Sequence, residues 1–427
     1  MSRPKWAHVR LAECIATINS GVSVNSDDRP RGPGEIGVLK TSAVSAGSFK
    51  ADENKVVIKR ERSRATESVL GGSILFSRMN TPQLVGESCY VEADDPSLFL
   101  PDRLWQIRVD SSRIDARWLS FVLLAPRVAS EIKGLATGTS GSMKNIARSS
   151  LLGIDILLPP IREQRRIAET LVALDDQIQL ASKVIAKLEQ AGRGLMEDLL
   201  SRGVDITGRL RPAESFETQT RDDKSFPASW IIVRLDQIAE VERGKFGHRP
   251  RNDPMYLNGP FPFIQTGDIA AVEGGVILDA SQSLSHLGAA VSRKFAAGTI
   301  AVTIAANIAD TAMLGRPMYF PDSVVGVSVY EPHRAEYVQL VLRAAKPRLE
   351  SRAPQSAQRN INLQDLRPLD VPLPDPAEQR RICQVMKAHA NAVAVERDAL
   401  EKLLKKKAAL LDDLLSGRVR VPQEAMS

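Results

Sequence analysis

The sequence predicts an α+β chain in which two tandem mixed α/β globular domains are separated by two long helices that pair as an antiparallel coiled coil. Three observations carry this. The stretch "PPIREQRRIAETL" at Pro159 returns as "PDPAEQRRICQVM" at Pro374, 215 residues further on. Each copy opens about 40 residues with apolar positions at alternating steps of four and three. Upstream of each copy lies a longer, more variable stretch, and the two variable stretches also match in places.

The repeat fixes the domain plan. From residue 145 to 204 the two copies align without a gap, and roughly a third of the positions are identical, far more than chance matches supply. The upstream parts follow with small shifts. "WAHVRLAECI" from Trp6 matches "WIIVRLDQIA" from Trp230, "VLKTSAV" from Val38 matches "FIQTGDI" from Phe263, and "GGSILFSRMN" from Gly71 matches "AGTIAVTIAAN" from Ala297. The expected boundaries are a first globular domain over 1–158, a helical region over 159–203 and a linker over 204–226. A second globular domain over 227–373, a second helical region over 374–417 and a tail over 418–427 complete the chain. The linker rests on the polar, Pro- and Ser-bearing stretch "GRLRPAESFETQTRDDKSFPAS".

Each helical region has its own start and stop signals. Pro159-Pro160 ends an extended segment, and Glu163 suits a first helical turn, where the dipole favours an acid. The seam then runs Ile167, Leu171, Leu174, Ile178, Ala181, Ile185, Leu188, Gly192, Leu195, Leu199. That is a heptad stripe, and 40 residues make a rod of roughly 60 Å. Gly203 and Gly417 stand where C-terminal caps prefer glycine. The second seam, Ile382 to Leu414, carries His389, Glu396 and Lys407 at matching positions. Antiparallel pairing sets His389 near Gly192, Leu400 near Ala181 and Lys407 near Leu174, so large faces small. The alternative is that each helix packs on its own globular neighbour.

Composition narrows function. The 427 residues hold 57 Lys and Arg against 51 acids, a net charge of +6 with a pI near 9.2, which permits a polyanionic partner. Three scattered cysteines and five scattered histidines form no metal or redox spacing and fit a reducing compartment. "MSRPKWAHVRLAEC" lacks a signal-peptide core, and "FAAGTIAVTIAANIAD" from Phe295 is shorter than a membrane span and reads as a buried strand. A cytoplasmic location is expected. No N-P-P-[FYW] tetrad and no Walker A sequence is present, and "GTSGS" from Gly138 reads as a mobile loop. Pro101-Asp102 followed by Glu131-Ile132-Lys133 matches a loose metal-nuclease pattern, with nothing comparable expected in the second repeat.

These features resemble the specificity (S) subunit of Type I restriction–modification enzymes. "LLPPIREQRRIAETL" and "PLPDPAEQRRICQVM" resemble the openings of that family's two helical regions. "GGSILFSRMNTPQLVGESCYV" with "FLPDRLWQIRVD" resembles its target-recognition domains, and "GSMKNIARSSLLGIDILLPP" resembles the exit from one. The resemblance implies a non-catalytic subunit whose two target-recognition domains read an asymmetric, bipartite double-stranded DNA target. Its helical regions would set the spacing and dock two methyltransferase (M) subunits, with restriction (R) subunits joining them. The chain itself would need no cofactor; S-adenosylmethionine, ATP and magnesium would belong to the partners.

A DNA reader needs cations for phosphates and Asn, Gln or Arg for base edges. Candidate stretches are "KRERSR", "SRMNT", "SMKN", "RGKFGHRPRN" and "SAQRNIN", and the candidate DNA-contacting residues are Arg78, Asn80, Lys144, Asn307, Gln358 and Arg359. The second domain has no Arg at the place of Arg78; Asn307 is the polar residue that remains. Asn145 and Asn360, at matched positions, suit turns or caps. Glu163, Gln164, Arg165 and Arg166, repeated as Glu378, Gln379, Arg380 and Arg381, are candidates for docking an equivalent partner at each helix. A salt bridge to the adjacent globular domain is the other reading. Two further functions stay open: a metal-dependent DNA nuclease and a protein-binding assembly scaffold.

Overall fold

Two helices, Ile161–Ser201 and Pro376–Leu415, organise the chain. The computed structural model describes residues 6–421 apart from 46, 139–141, 222–223, 249–251, 306 and 353–359. Its contacts divide the chain into two units. The first joins Met1–Ser182 to Asp398–Ser427, and the second is Lys183–Arg397. Each long helix therefore contributes one half to each unit.

Helix pairing is visible inside both units. In the first, Leu414 and Leu415 at the end of the C-terminal helix share a core with Ile167, Ala168 and Leu171 at the start of the central one. Lys407 reaches Asp175 at 2.5 Å, so the cation in the seam is met by an acid one residue beyond Leu174. In the second, the His389 imidazole lies over Gly192, where an added Cβ would stand 2.5 Å from Nε2. Arg397 pairs with Glu189 at 2.7 Å. All ten seam positions of the central helix are buried or half-buried, whereas Leu180, off the seam, is 63% exposed. The helices end as expected, with Gly203 at φ +68° and Gly417 at φ +74°, both left-handed.

The two heads share one topology. In the first unit an antiparallel sheet runs in the order Ser88–Tyr90, Ile74–Ser77, Leu104–Val109, Ile15–Ser20. In the second the order is Thr311–Leu314, Ile300–Thr303, Val324–Val329, Ala239–Arg243, with Val276–Ile277 added at one edge. The Thr/Ile/Val-rich Ile300–Thr303 is buried at every residue, as its composition predicts. Each head carries a further mixed sheet. In one, Gly37–Leu39 runs parallel to Asp95–Phe99; in the other, Leu257–Phe263 runs parallel to Met318–Phe320. A two-stranded ribbon closes each head, pairing Ala7–Arg10 with Asp155–Leu158 and Ile231–Arg234 with Asp370–Leu373. It brings the ends of the head together just before the long helix begins.

Residues 204–226 are not a featureless tether. Val204 bridges to Leu210, and Thr218–Arg221 pairs with Lys224–Pro227 as a hairpin. Val204 and Phe226 join the core of the second unit, so local polarity concealed tertiary anchors. Among the described residues no helix is long and apolar enough to cross a membrane.

Candidate nucleic-acid interface

In the first head three candidate residues meet. Met79–Asn80 pairs antiparallel with Lys144–Asn145, placing Asn80 opposite Lys144, and the Ile146 amide donates to the Arg78 carbonyl at 2.9 Å. The half-buried Arg78 guanidinium lies 5.7 Å from the Trp105 ring centroid, and its buried Nε has no hydrogen-bond partner. Packing on a rigid ring orients that cation at low entropic cost. Asn80 is less available than its sequence suggests. It is 8% exposed; its amide donates to Ser77 Oγ at 3.1 Å and its carbonyl oxygen accepts from the Thr81 amide at 2.9 Å. That geometry fits a turn lock. Lys144 donates to the Gly138 carbonyl at 2.9 Å. Residues 139–141 of the "GTSGS" stretch lie outside the described residues.

The second head builds the same strand junction from different side chains. Ala305 bridges to Asn360 as Met79 does to Asn145, and the Ile361 amide donates to the Ile304 carbonyl at 3.0 Å. Ile304, 3% exposed, therefore occupies the place of Arg78. Asn307 is exposed on the turn that follows. Thr303 Oγ accepts from the Asp310 amide at 3.0 Å and donates to the Asn307 carbonyl; Lys346 holds the Asp310 carboxylate at 2.5 Å. The turn is thus pinned by its own polar groups. Gln358 and Arg359 lie outside the described residues.

The repeated E-Q-R-R signal divides by environment. Glu163 accepts from Trp6 Nε1 at 3.1 Å and from Arg420 at 2.6 Å, and the Arg420 guanidinium also stacks over Trp6 at 4.6 Å. Glu378, 2% exposed, accepts from Arg211 at 2.6 and 2.9 Å, from the Val204 amide at 3.0 Å and from Trp230 Nε1 at 3.3 Å. In both units the acid that opens one helix is gripped by the head's first tryptophan and by an arginine beyond the end of the other helix. Gln164 accepts from the Asp115 amide and donates to the carbonyls of Pro159 and Arg113, at 2.8–3.1 Å. Gln379 accepts from the Arg334 amide at 2.9 Å and donates to the Pro374 carbonyl at 2.9 Å. These four side chains are occupied within the chain. Arg165 and Arg380 are exposed, and Arg166 and Arg381 are half-buried.

The loose nuclease pattern has a different explanation. Pro101–Asp102 leads into Leu104–Val109 through a turn closed by Leu104 N–H to the Pro101 carbonyl at 3.3 Å. Pro321–Asp322 leads into Val324–Val329 through the matching turn at 3.2 Å. The Pro-Asp part of the pattern recurs as part of the fold, without the Glu-x-Lys part. The unlike residues that follow it, Leu104-Trp105 and Val324-Val325, hid the match. Among the described residues no group of three or more His, Cys, Asp or Glu is placed to hold a metal.

Comparison with known proteins agrees with this geometry. The family model described as "Type I restriction modification DNA specificity domain" matches twice, over residues 4–190 and 227–405. The chain is 23% identical to a putative type I restriction enzyme MjaX specificity subunit of Methanocaldococcus jannaschii, over 97% of this chain and 94% of the other. It is 28% identical to the EcoEI specificity subunit of Escherichia coli, over 44% of this chain and 31% of that one. Among solved structures, the S subunit from M. genitalium superposes with a TM-score of 0.56 at 14% identity over 96% of each chain. A chain from a type I R-M complex-assembly study gives 0.59 at 18% identity, covering 98% of this chain and 99% of that one.

Proposed function

The chain belongs to the Type I restriction–modification specificity family, and on that premise we propose that it is the non-catalytic subunit reading an asymmetric, bipartite double-stranded DNA target. It is a specificity subunit with two target-recognition domains. The observation that carries the finer reading is one strand junction built twice, with Arg78 and Lys144 in one head and Ile304 in the other. Equal scaffolds with unequal reading residues fit two unlike half-sites. The paired helices act in this reading as the spacer between them.

Two M subunits dock at the helical regions, and Arg165, Arg166, Arg380 and Arg381 carry that contact. Their neighbours Glu163, Gln164, Glu378 and Gln379 position the helix starts. S-adenosylmethionine, ATP and magnesium act on the M and R subunits, and the assembly works in the cytoplasm. The test is titration of purified chain into duplex DNA across a salt series, with and without M. Affinity that falls steeply with salt and sharpens for one sequence when M is added supports the reading. Salt-independent binding, or cleavage by the chain alone with a divalent metal, overturns it.

A further inference from the structure

The two heads differ in where their cations stand, and the fold puts both places at the same end of one sheet. In the first head Ser77 and Ser20 flank the start of Leu104–Val109, because Leu104 faces Ser77 and Trp105 faces Ser20. Two loops leave from there, one after Ser77 and one after Ser20. In the second head Thr303 faces Val324 and Arg243 faces Val325. The loops after Thr303 and Arg243 therefore leave from the same end.

The cations have changed loops. In the first head the loop after Ser77 begins with Arg78. The loop after Ser20 carries no cation before the short strand Ser26–Asp27, and the arginines that follow that strand are spent on the head's own acids: Arg29 holds Glu35 at 2.7 Å and Arg31 holds Asp95 at 2.6 Å. In the second head the loop after Thr303 begins with buried Ile304. The loop after Ala239–Arg243 instead carries exposed Lys245. Its backbone is fixed on both sides. The Gly244 amide donates to the Val324 carbonyl at 2.8 Å, and a Cβ there would lie 2.2 Å from the Pro321 carbonyl oxygen. Phe246, 4% exposed, bridges to Ser292 and packs 5.2 Å from Phe263. The Lys245 amide itself donates to the Phe320 carbonyl at 3.0 Å. Beside it, Arg293 donates to the Arg243 carbonyl at 3.0 Å and neutralises Glu242 at 3.0 Å. The nearest acid on that strand is thereby removed from competition.

Resting on the DNA-reading function above, we propose that Lys245 is the phosphate-binding residue of the second head, supplying a cation at the end of the sheet where the first head carries Arg78. A phosphate oxygen is a charged partner for an exposed ammonium on a fixed stretch of backbone, and it needs no specific base. Asn307, exposed on the turn after Ile304, is left as an uncharged candidate for base contact.

The experiment is a salt series on the full chain with a 30-base-pair duplex, comparing wild type, Lys245→Ala, Lys245→Glu, Lys245→Arg, the Arg78→Ala/Lys144→Ala pair, and Lys405→Ala on the helix surface as control. Each lost phosphate contact reduces the magnitude of the log affinity against log salt slope by about 0.9. The expected result is a loss of about one unit in Lys245→Ala, a larger affinity loss in Lys245→Glu, retention in Lys245→Arg and no change in the control. If both Lys245→Ala and Lys245→Glu keep the wild-type slope while the Arg78/Lys144 pair lowers it, the assignment is wrong and DNA reading stands. If wild type itself shows no slope, both fall together.

Discussion

Several polar commitments converge on Glu378. It is buried, and it pairs with the Arg211 guanidinium while accepting from the Trp230 indole N–H and the Val204 amide. Glu378→Ala leaves Arg211 without its partner, and breaking such a buried pair costs about 3 kcal/mol. Thermal melts should show a clear fall, and Glu163→Ala a smaller one, because Glu163 sits nearer solvent than Glu378. Equal melting temperatures for wild type and Glu378→Ala would contradict this account. Burial also pushes the thiols of Cys89 and Cys383 up to about 12. On the order of one thiolate in ten thousand is then present at pH 8, so both should resist alkylation by iodoacetamide in the folded chain and react after unfolding, as mass spectrometry would record. The E-Q-R-R signal was legible as a repeat, but its partners were not. Trp6 and Arg420 stand 157 and 257 residues from Glu163, and sequence spacing carries no information about contacts at that range.

The long helices were legible almost completely, because a heptad stripe and terminal signals are local properties of the chain. Even the meeting of His389 with Gly192 followed from antiparallel alignment of the seams. Two glycines two residues apart in the central helix now give opposite expectations. At Gly194 a Cβ meets nothing within 4 Å, so Gly194→Ala should stabilise by about 0.8–1 kcal/mol through helix propensity. At Gly192 the same methyl runs into the imidazole, so Gly192→Ala should lower the melting temperature despite better propensity, and adding His389→Ala should recover much of the loss. Stabilisation by Gly192→Ala alone would mean that the imidazole moves away freely. The sheets were less legible. Strands as short as Met79–Asn80 and Lys144–Asn145 have no periodicity to detect, and their pairing joins residues more than 60 positions apart. The polarity of the segment over 204–226 says nothing about Val204 and Phe226 entering the core.

For the whole molecule, the repeat makes two copies of one head and two halves of one helical pair, and the differences between the copies carry the proposed specificity. If the helices set the spacer, inserting one heptad into both of them at matched levels preserves the seam and adds about 10 Å, close to three base pairs. The preferred spacer should lengthen while both half-sites stay unchanged; an unchanged spacer would sink the ruler. The central claim is that each head reads its own half-site. It is tested most directly by methylation-sensitive sequencing of DNA from cells expressing the M subunit with wild-type chain or with the Arg78→Ala/Lys144→Ala variant. The account predicts one bipartite methylated motif for wild type and, for the variant, a motif relaxed or weakened in one half only. Loss of selectivity in both halves together, or no methylated motif despite a stable complex, would contradict it.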